Sequence, residues 1–255
     1  MTNLSSLAQT LRTAQEQHTG CQPLTQLHPE LTTEEAYTIQ QLNLEARQLP
    51  RIGSKIGLTS RAVQKQLGVS APDFGGLLPD MLVPLGEPVQ IDRLMQPRAE
   101  AEIAFVLGQD LDKDYITAAD IINATAYLLP AIEIIDSRIA DWKITYQDTI
   151  ADNASSGLFV LGQDPVKLHD VPLERCGMLL RKNGSVVSTG AGAASMGHPI
   201  TAMSWLANTL RDMDQPLKAG QIILSGALGP VTPVTRGDFL SAEIAHLGSL
   251  SVKFI

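Results

Sequence analysis

Two glutamates one residue apart, Glu100 and Glu102, stand in "PRAEAEIAF" among small and apolar neighbours. In an extended strand such residues point to one face, about 7 Å apart along the chain. Two carboxylates crowded on one face are unfavourable unless something neutralises them. A third acid, Glu133, sits in a second apolar run, "PAIEIID", between Ile132 and Ile134. Three strand carboxylates brought together would make an oxygen-rich site for a hard divalent cation, Mg2+ or Mn2+. Three ligands leave coordination positions open for water and a substrate. The alternative is an amphipathic strand whose Glu100 and Glu102 simply face water. Glu133 within an apolar run weighs against that alternative, and spacing alone leaves both readings open.

Other residues with chemical potential have plainer readings when taken singly. Lys55, in "GSKIGLTS", reads as a solvent-exposed loop lysine. Asp73 follows Pro72 in "APDFGG" and suits a turn. Asp152, Asn153, Ser155 and Ser156 in "ADNASSG" suit turn and capping chemistry. Gly226, in "LSGALGP" after an apolar strand, permits close backbone approach to a ligand. The five histidines show no metal-ligand spacing, and His198 before Pro199 belongs at a helix start. The two cysteines, Cys21 and Cys176, give neither a disulfide framework nor a zinc site. No G-x-S-x-G nucleophile motif occurs. The glycine-rich "STGAGAASMGHP" lacks the Lys-Ser/Thr ending of a phosphate loop.

The elements that must position these residues follow from pattern. Leu4, Leu7, Ala8 and Leu11 fall at helical spacing, and "LTTEEAYTIQQLNLEARQ" opens with a capping box, Thr32 to Glu35. "TSRAVQKQLG" reads as a short helix capped by Thr59 or Ser60 and ended by Gly68. "GSKIGLTS" lies between those helices as a glycine-flanked segment. From about residue 70 the chain turns to loops and strands: "AEAEIAFVLG", "PAIEIID", "GLFVLG", "GMLLRKNGSVVSTG", "QIILSGAL" and "LSAEIAHLGSLSVKFI". Asn183-Gly184 marks a hairpin. "TAADIINATAYLL" and "HPITAMSWLANTLRDM" read as helices. The expectation is an α+β chain: a helical N-terminal segment, 1–70, over a β-rich catalytic core, 71–255, as one unit.

With 255 residues, 44% of them hydrophobic, the chain can bury a sizeable core. A net charge of −8 argues against a nucleic-acid groove. No apolar run approaches the ~20 residues of a membrane span, and the N-terminus lacks a signal-peptide pattern. A cytoplasmic location, with no membrane partner, is the expectation.

"KIGLTSRAVQKQLGVSAPDFGGLL", "RAEAEIAFVLG", "AIEIIDSRIADWK" and "TIADNASSGLFVLG" resemble, in order, the 2-oxopent-4-enoate hydratase family. That family belongs to the fumarylacetoacetate hydrolase superfamily, with the 4-oxalocrotonate decarboxylases. The resemblance implies a mixed β roll or sandwich with peripheral helices. It implies that Glu100, Glu102 and Glu133 bind the metal, that Lys55 acts in the site, and that Asp73 is an acid/base or water-orienting group. It moves Ser155 towards the pocket. It gives Ser225, where the superfamily usually has threonine, a part with Gly226 in holding a 2-oxo acid. A homo-oligomer is implied, as is a companion decarboxylase or hydratase of the same pathway.

The implied reaction is hydration of 2-hydroxypenta-2,4-dienoate, with Lys55 lowered in pKa near the metal. The rivals are 4-oxalocrotonate decarboxylation, hydration of a seven-carbon dioic acid, and a non-catalytic partner subunit. A decarboxylase must accept a second carboxylate. The segment "APDFGGLLPDMLVP" offers Phe74, Leu77, Leu78, Met81 and Leu82 but no Lys or Arg. If it lines the distal end of the pocket, it favours the hydratase, provided Arg61, Arg98 or Lys143 does not reach in.

Overall fold

The computed structural model describes residues 4–61, 64, 65, 69 and 71–255. Half of the short helix expected over 59–68 lies outside the described residues. An eight-stranded mixed sheet runs in the order β2(Asp73–Leu77), β1(Gly53–Gly57), β9(Ile222–Leu224), β4(Arg98–Leu107), β5(Thr125–Ile135), β6(Ser156–Leu161), β3(Leu82–Val83), and β10(Thr232–Pro233) pairs with β4. A second, four-stranded sheet runs β12(Gly248–Lys253), β11(Phe239–Ile244), β7(Gly177–Lys182), β8(Ser185–Ala191). The helices α1(Leu4–Gln17), α2(Leu24–Leu27), α3(Thr33–Ala46), α4(Ala118–Ala124), α5(Tyr146–Ala151) and α6(Pro199–Asp212) are peripheral. The α+β expectation of a mixed sheet core with helices around it describes this arrangement.

Local signals act as their chemistry dictates. Thr32 caps α3 in a full capping box with Glu35, and Thr117 does the same for α4 with Asp120. His198 caps α6 by accepting the Ile200 N–H. Asn183 and Gly184 both take positive φ, 52° and 83°, as a two-residue hairpin between β7 and β8 requires.

Two expectations need correcting. The helix expected over "TAADIINATAYLL" stops at Ala124, and Thr125 to Leu129 belong to β5. Pairing with β4, Leu107 on Thr125 and Val106 on Tyr127, overrides the helical reading. "GSKIGLTS", read as a link between helices, supplies β1, which pairs antiparallel with β2 and parallel with β9. The sheet thus begins inside the segment read as helical.

Strand β4 is apolar on both sides. Ala101, Ile103, Phe105 and Leu107 join the main core on one face, and Ala104 and Val106 join a second cluster with Leu77, Leu78 and Phe159 on the other. A strand covered on both faces cannot carry its acids on an outer, solvated side. That removes the water-facing reading of the Glu-x-Glu pair.

Candidate metal centre and active site

Strands β4 and β5 place the acids. Glu100 lies directly opposite Glu133 in the antiparallel ladder, and Glu102 is two residues along on the same face. One oxygen from each of Glu100, Glu102 and Glu133 lies within 4.8 Å of the others. Glu102 and Glu133 are buried, and Glu100 is partly exposed.

These carboxylates are poorly satisfied by the protein. Glu102 accepts one hydrogen bond, from the Gly226 N–H at 2.8 Å, and its Oε1 has no partner. Neither oxygen of Glu133 has a hydrogen-bond partner. Lys55 Nζ stands 3.2 Å from Glu133 Oε1, an ion pair whose alignment is not that of a hydrogen bond. Burial first, then Glu133, pushes Glu100 up to about 8. The same causes, with Glu100 added, hold Glu102 well above the carboxylate range. Acids kept together against burial and mutual repulsion suit a bound cation. The orphaned oxygens and the all-carboxylate donor set therefore fit a hard divalent ion.

Lys55 is buried, on β1. Burial lowers its pKa, but Glu133, Asp73, Glu100 and Glu102 together outweigh burial and leave it raised. The protein groups alone do not produce the fall expected of Lys55. A cation among the acids would oppose the field that raises it. Asp73 lies across the β1–β2 ladder from Gly57, where a Cβ would stand 2.1 Å from Asp73 Oδ1. Gly57 is thus the space the carboxylate needs. Burial pushes Asp73 up to about 6, with Lys55 opposing.

A cavity of about 610 Å³ opens from this cluster, lined by Lys55, Asp73, Glu100, Thr149 and Ser155 at its polar end. Ser155 and Thr149 share a hydrogen bond at 3.1 Å. Asn153, Ala154 and Ser155 all take positive φ, 54°, 51° and 53°, which non-glycine residues rarely do. Arg138 and Asp152 hold that turn. The Arg138 guanidinium donates to Asp152 O at 2.6 Å and Ser156 O at 2.8 Å, besides pairing with the Asp152 carboxylate. Sequence reasoning offered Asp152 only as turn chemistry and missed Arg138.

The remaining expectations divide. Ser225 is fully buried, its hydroxyl has no partner, and it does not line the cavity. The wall there is Ala227 to Val231. Gly226 acts on Glu102 instead of on the cavity. Its φ of +96°, and a Cβ position 2.4 Å from Thr59 Oγ1, leave room only for glycine. The segment expected at the distal end contributes Asp73 alone. Phe74 stacks on Tyr37 with ring centroids 4.5 Å apart, while Leu77, Leu78 and Met81 pack in the second cluster. The apolar wall comes from Ile135, Trp142, Ile144, Leu228 and Val231, which sequence reasoning did not single out. Trp142, one of two tryptophans, was the available signal.

Residues 52–255 match the fumarylacetoacetate (FAA) hydrolase C-terminal family. A 2-keto-4-pentenoate hydratase of Burkholderia vietnamiensis is 48% identical over 255 residues, 99% of this chain and 97% of that one. The chain belongs to the fumarylacetoacetate hydrolase family, in its hydratase/decarboxylase branch. A 2-hydroxyhexa-2,4-dienoate hydratase of Comamonas testosteroni is 45% identical, covering 91% of this chain and 90% of its own. Among solved structures, 4-oxalocrotonate decarboxylase from Pseudomonas putida G7, complexed with magnesium and adipate, superposes with a TM-score of 0.93. It is 36% identical, over 99% of this chain and 97% of that one. Among the described residues, no helix is long and apolar enough to cross a membrane.

Proposed function

We propose that the chain is a divalent-metal-dependent hydro-lyase that hydrates 2-hydroxypenta-2,4-dienoate to 4-hydroxy-2-oxopentanoate in meta-cleavage breakdown of aromatics. The observation that carries the reading is the meeting of Glu100, Glu102 and Glu133, with Glu100 lining the polar end of a cavity that also has an apolar wall. These three residues would hold Mg2+ or Mn2+. When bound, the cation supplies positive charge for the substrate's C1 carboxylate and 2-oxygen.

The chain's own groups move the protons. Lys55 and Asp73 reach the cavity from adjacent strands. With its pKa raised to about 6, Asp73 exchanges protons near neutrality. One proton delivered to C5, with the enol O–H proton given up, turns the dienol into the conjugated 2-oxo-3-enoate. The hydroxyl of a water then adds at C4, and the proton that this water gives up is balanced by one delivered to C3. Thr149 and Ser155 offer hydroxyls beside Asp73 to orient that water.

Hydration is favoured over decarboxylation by the cavity's lining. Among the described residues Lys55 is the only Lys or Arg that lines it, and Glu133 already occupies that charge. A second substrate carboxylate would be buried without a cation, which is costly. The likeness to the decarboxylase keeps that reaction as the second reading. Purified protein with Mg2+ or Mn2+, assayed against the five-carbon dienol and 4-oxalocrotonate with products followed separately, tests the choice. A water adduct from the dienol is expected. Faster CO2 release from the diacid, with no adduct, would reverse the assignment. Assembly as a homo-oligomer belongs to the same proposal, and a monomer mass in light scattering would remove it.

A further inference from the structure

Arg98 opens β4 two residues before Glu100, so both side chains leave the same face of the strand. Its ladder partner is Ile135, just as Glu133 is the partner of Glu100. The Arg98/Ile135 rung is therefore the next one outward from the carboxylate cluster, about 7 Å along the strand. Ile135 lines the substrate cavity, but Arg98 does not.

Trp142 is what intervenes. Trp142 lines both the substrate cavity and a second cavity of about 520 Å³, and the half-buried Arg98 lines only the second. The guanidinium lies over the ring, 4.5 Å from its centroid. Among the described residues the Arg98 side chain has no ion-pair or hydrogen-bond partner, and it is held against the ring by stacking alone. By contrast, Arg236 in the same outer cavity is paired with Asp92 at 2.6 Å. Trp142 is held in place by donating Nε1–H to Gln96 O at 3.0 Å and by a left-handed backbone, φ 55°.

We propose that Trp142 is a partition that hides Arg98 from the substrate cavity, and that this pair sets the preference for an uncharged substrate tail over a dicarboxylate. The proposal rests on the functional reading above, because it takes the carboxylate cluster as the head of the site. A dienoate bound head-first there extends its tail towards Ile135 and Trp142. A methyl or vinyl end meets the ring and side chains. A terminal carboxylate meets the same apolar wall, with an unpaired guanidinium one ring-thickness behind it. Removing the ring would bring a fork of donors suited to a carboxylate into the cavity.

The test compares two non-reacting ligands of equal length, 2-oxohexanoate and 2-oxohexanedioate, by calorimetry in the presence of Mg2+. Wild type should prefer the monoacid. Trp142→Ala should swing the preference at least tenfold towards the diacid, and Arg98→Met in that background should return it. Thermal melts establish that each variant is folded, and Trp142→Leu replaces the alanine variant if that one is not. A ratio unchanged within threefold, a swing that survives Arg98→Met, or a wild type that already favours the diacid would overturn the proposal. Wild-type hydration of the five-carbon dienol is measured separately. Its failure removes the functional reading while the binding ratios still decide the role of Arg98 and Trp142.

Discussion

Two groups of buried charges in this molecule are built on opposite principles. Arg138 and Asp152 are both nearly inaccessible, yet their charged groups are provided for. Asp152 Oδ2 receives the Arg138 N–H at 3.0 Å and the Ser137 hydroxyl at 3.1 Å, and the guanidinium donates to two carbonyls as well as to the carboxylate. At Glu100, Glu102 and Glu133 three acids share one lysine, and three of the four oxygens on Glu102 and Glu133 have no hydrogen-bond partner. A satisfied network fixes a shape, here the left-handed turn that presents Ser155. An unsatisfied one is stable only with something else in it, and marks where a ligand binds. Burial is common to both regions, so hydrogen-bond completeness is what separates scaffold from site.

The largest effect should come from the unsatisfied side. Lys55→Met is expected to cut turnover by roughly 10²–10⁴-fold, the usual cost of removing a positioned acid or base. Metal binding, measured by calorimetry, should persist. A loss below tenfold would make Lys55 a charge-balancing residue only.

Next in size is the satisfied side. Arg138→Met strands Asp152 as a buried charge, which typically costs about 3–5 kcal/mol. For a chain of this size that lowers the melting temperature by roughly 10 °C. Affinity for Mg2+ should be unaltered, because the ligands stand on β4 and β5. An unchanged melting temperature would show that the network is not what holds the turn.

Glu102→Gln should behave in the opposite way. It removes a buried carboxyl that the protein alone does not satisfy, so the metal-free variant should melt no lower than the wild type. Adding Mg2+ or Mn2+ at about a thousandfold over Kd stabilises a binding protein by about 4 kcal/mol, and the variant should lose most of that gain. Full wild-type activity in a strong chelator would remove the metal assignment altogether.

How much of this was legible in the sequence follows the same division. Glu100, Glu102 and Glu133 stood out because carboxylates inside apolar strands contradict their surroundings, but spacing left a water-facing reading open and it was the resemblance of whole blocks that singled out the three together. Caps and the Asn183-Gly184 hairpin could be found because their signals are local. The role of Arg138 could not, because its value lies in a partner fourteen residues away and in a turn with no glycine to announce it. The start of β5 was hidden because pairing with β4 decides it. The cavity's apolar wall was placed on the wrong segment for a related reason. Phe74, Leu77, Leu78 and Met81 are as apolar as a wall requires, but only the tertiary fold says that they turn away into core.

The smallest expected effect is a pH dependence that separates the two regions once more. The pKa of Asp73 is raised to about 6 in the folded protein, from an ordinary value of 3.8. A carboxyl with a raised folded pKa binds more protons folded than unfolded between those two values. Stability from this group is therefore greatest below pH 4 and declines as pH rises to about 6, where it levels off. At about 1.4 kcal/mol per unit the decline is at most about 3 kcal/mol, and carboxylates held in ion pairs elsewhere slope the other way. The net signal is the difference between two proteins: metal-free Asp73→Asn should gain stability over the wild type as pH rises from 4 to 6, measured by urea unfolding at each pH. Above pH 6 the gap should stay constant. A gap that is flat from pH 4 would show that the carboxylate of Asp73 is ionised throughout, and would leave proton transfer to Lys55 alone.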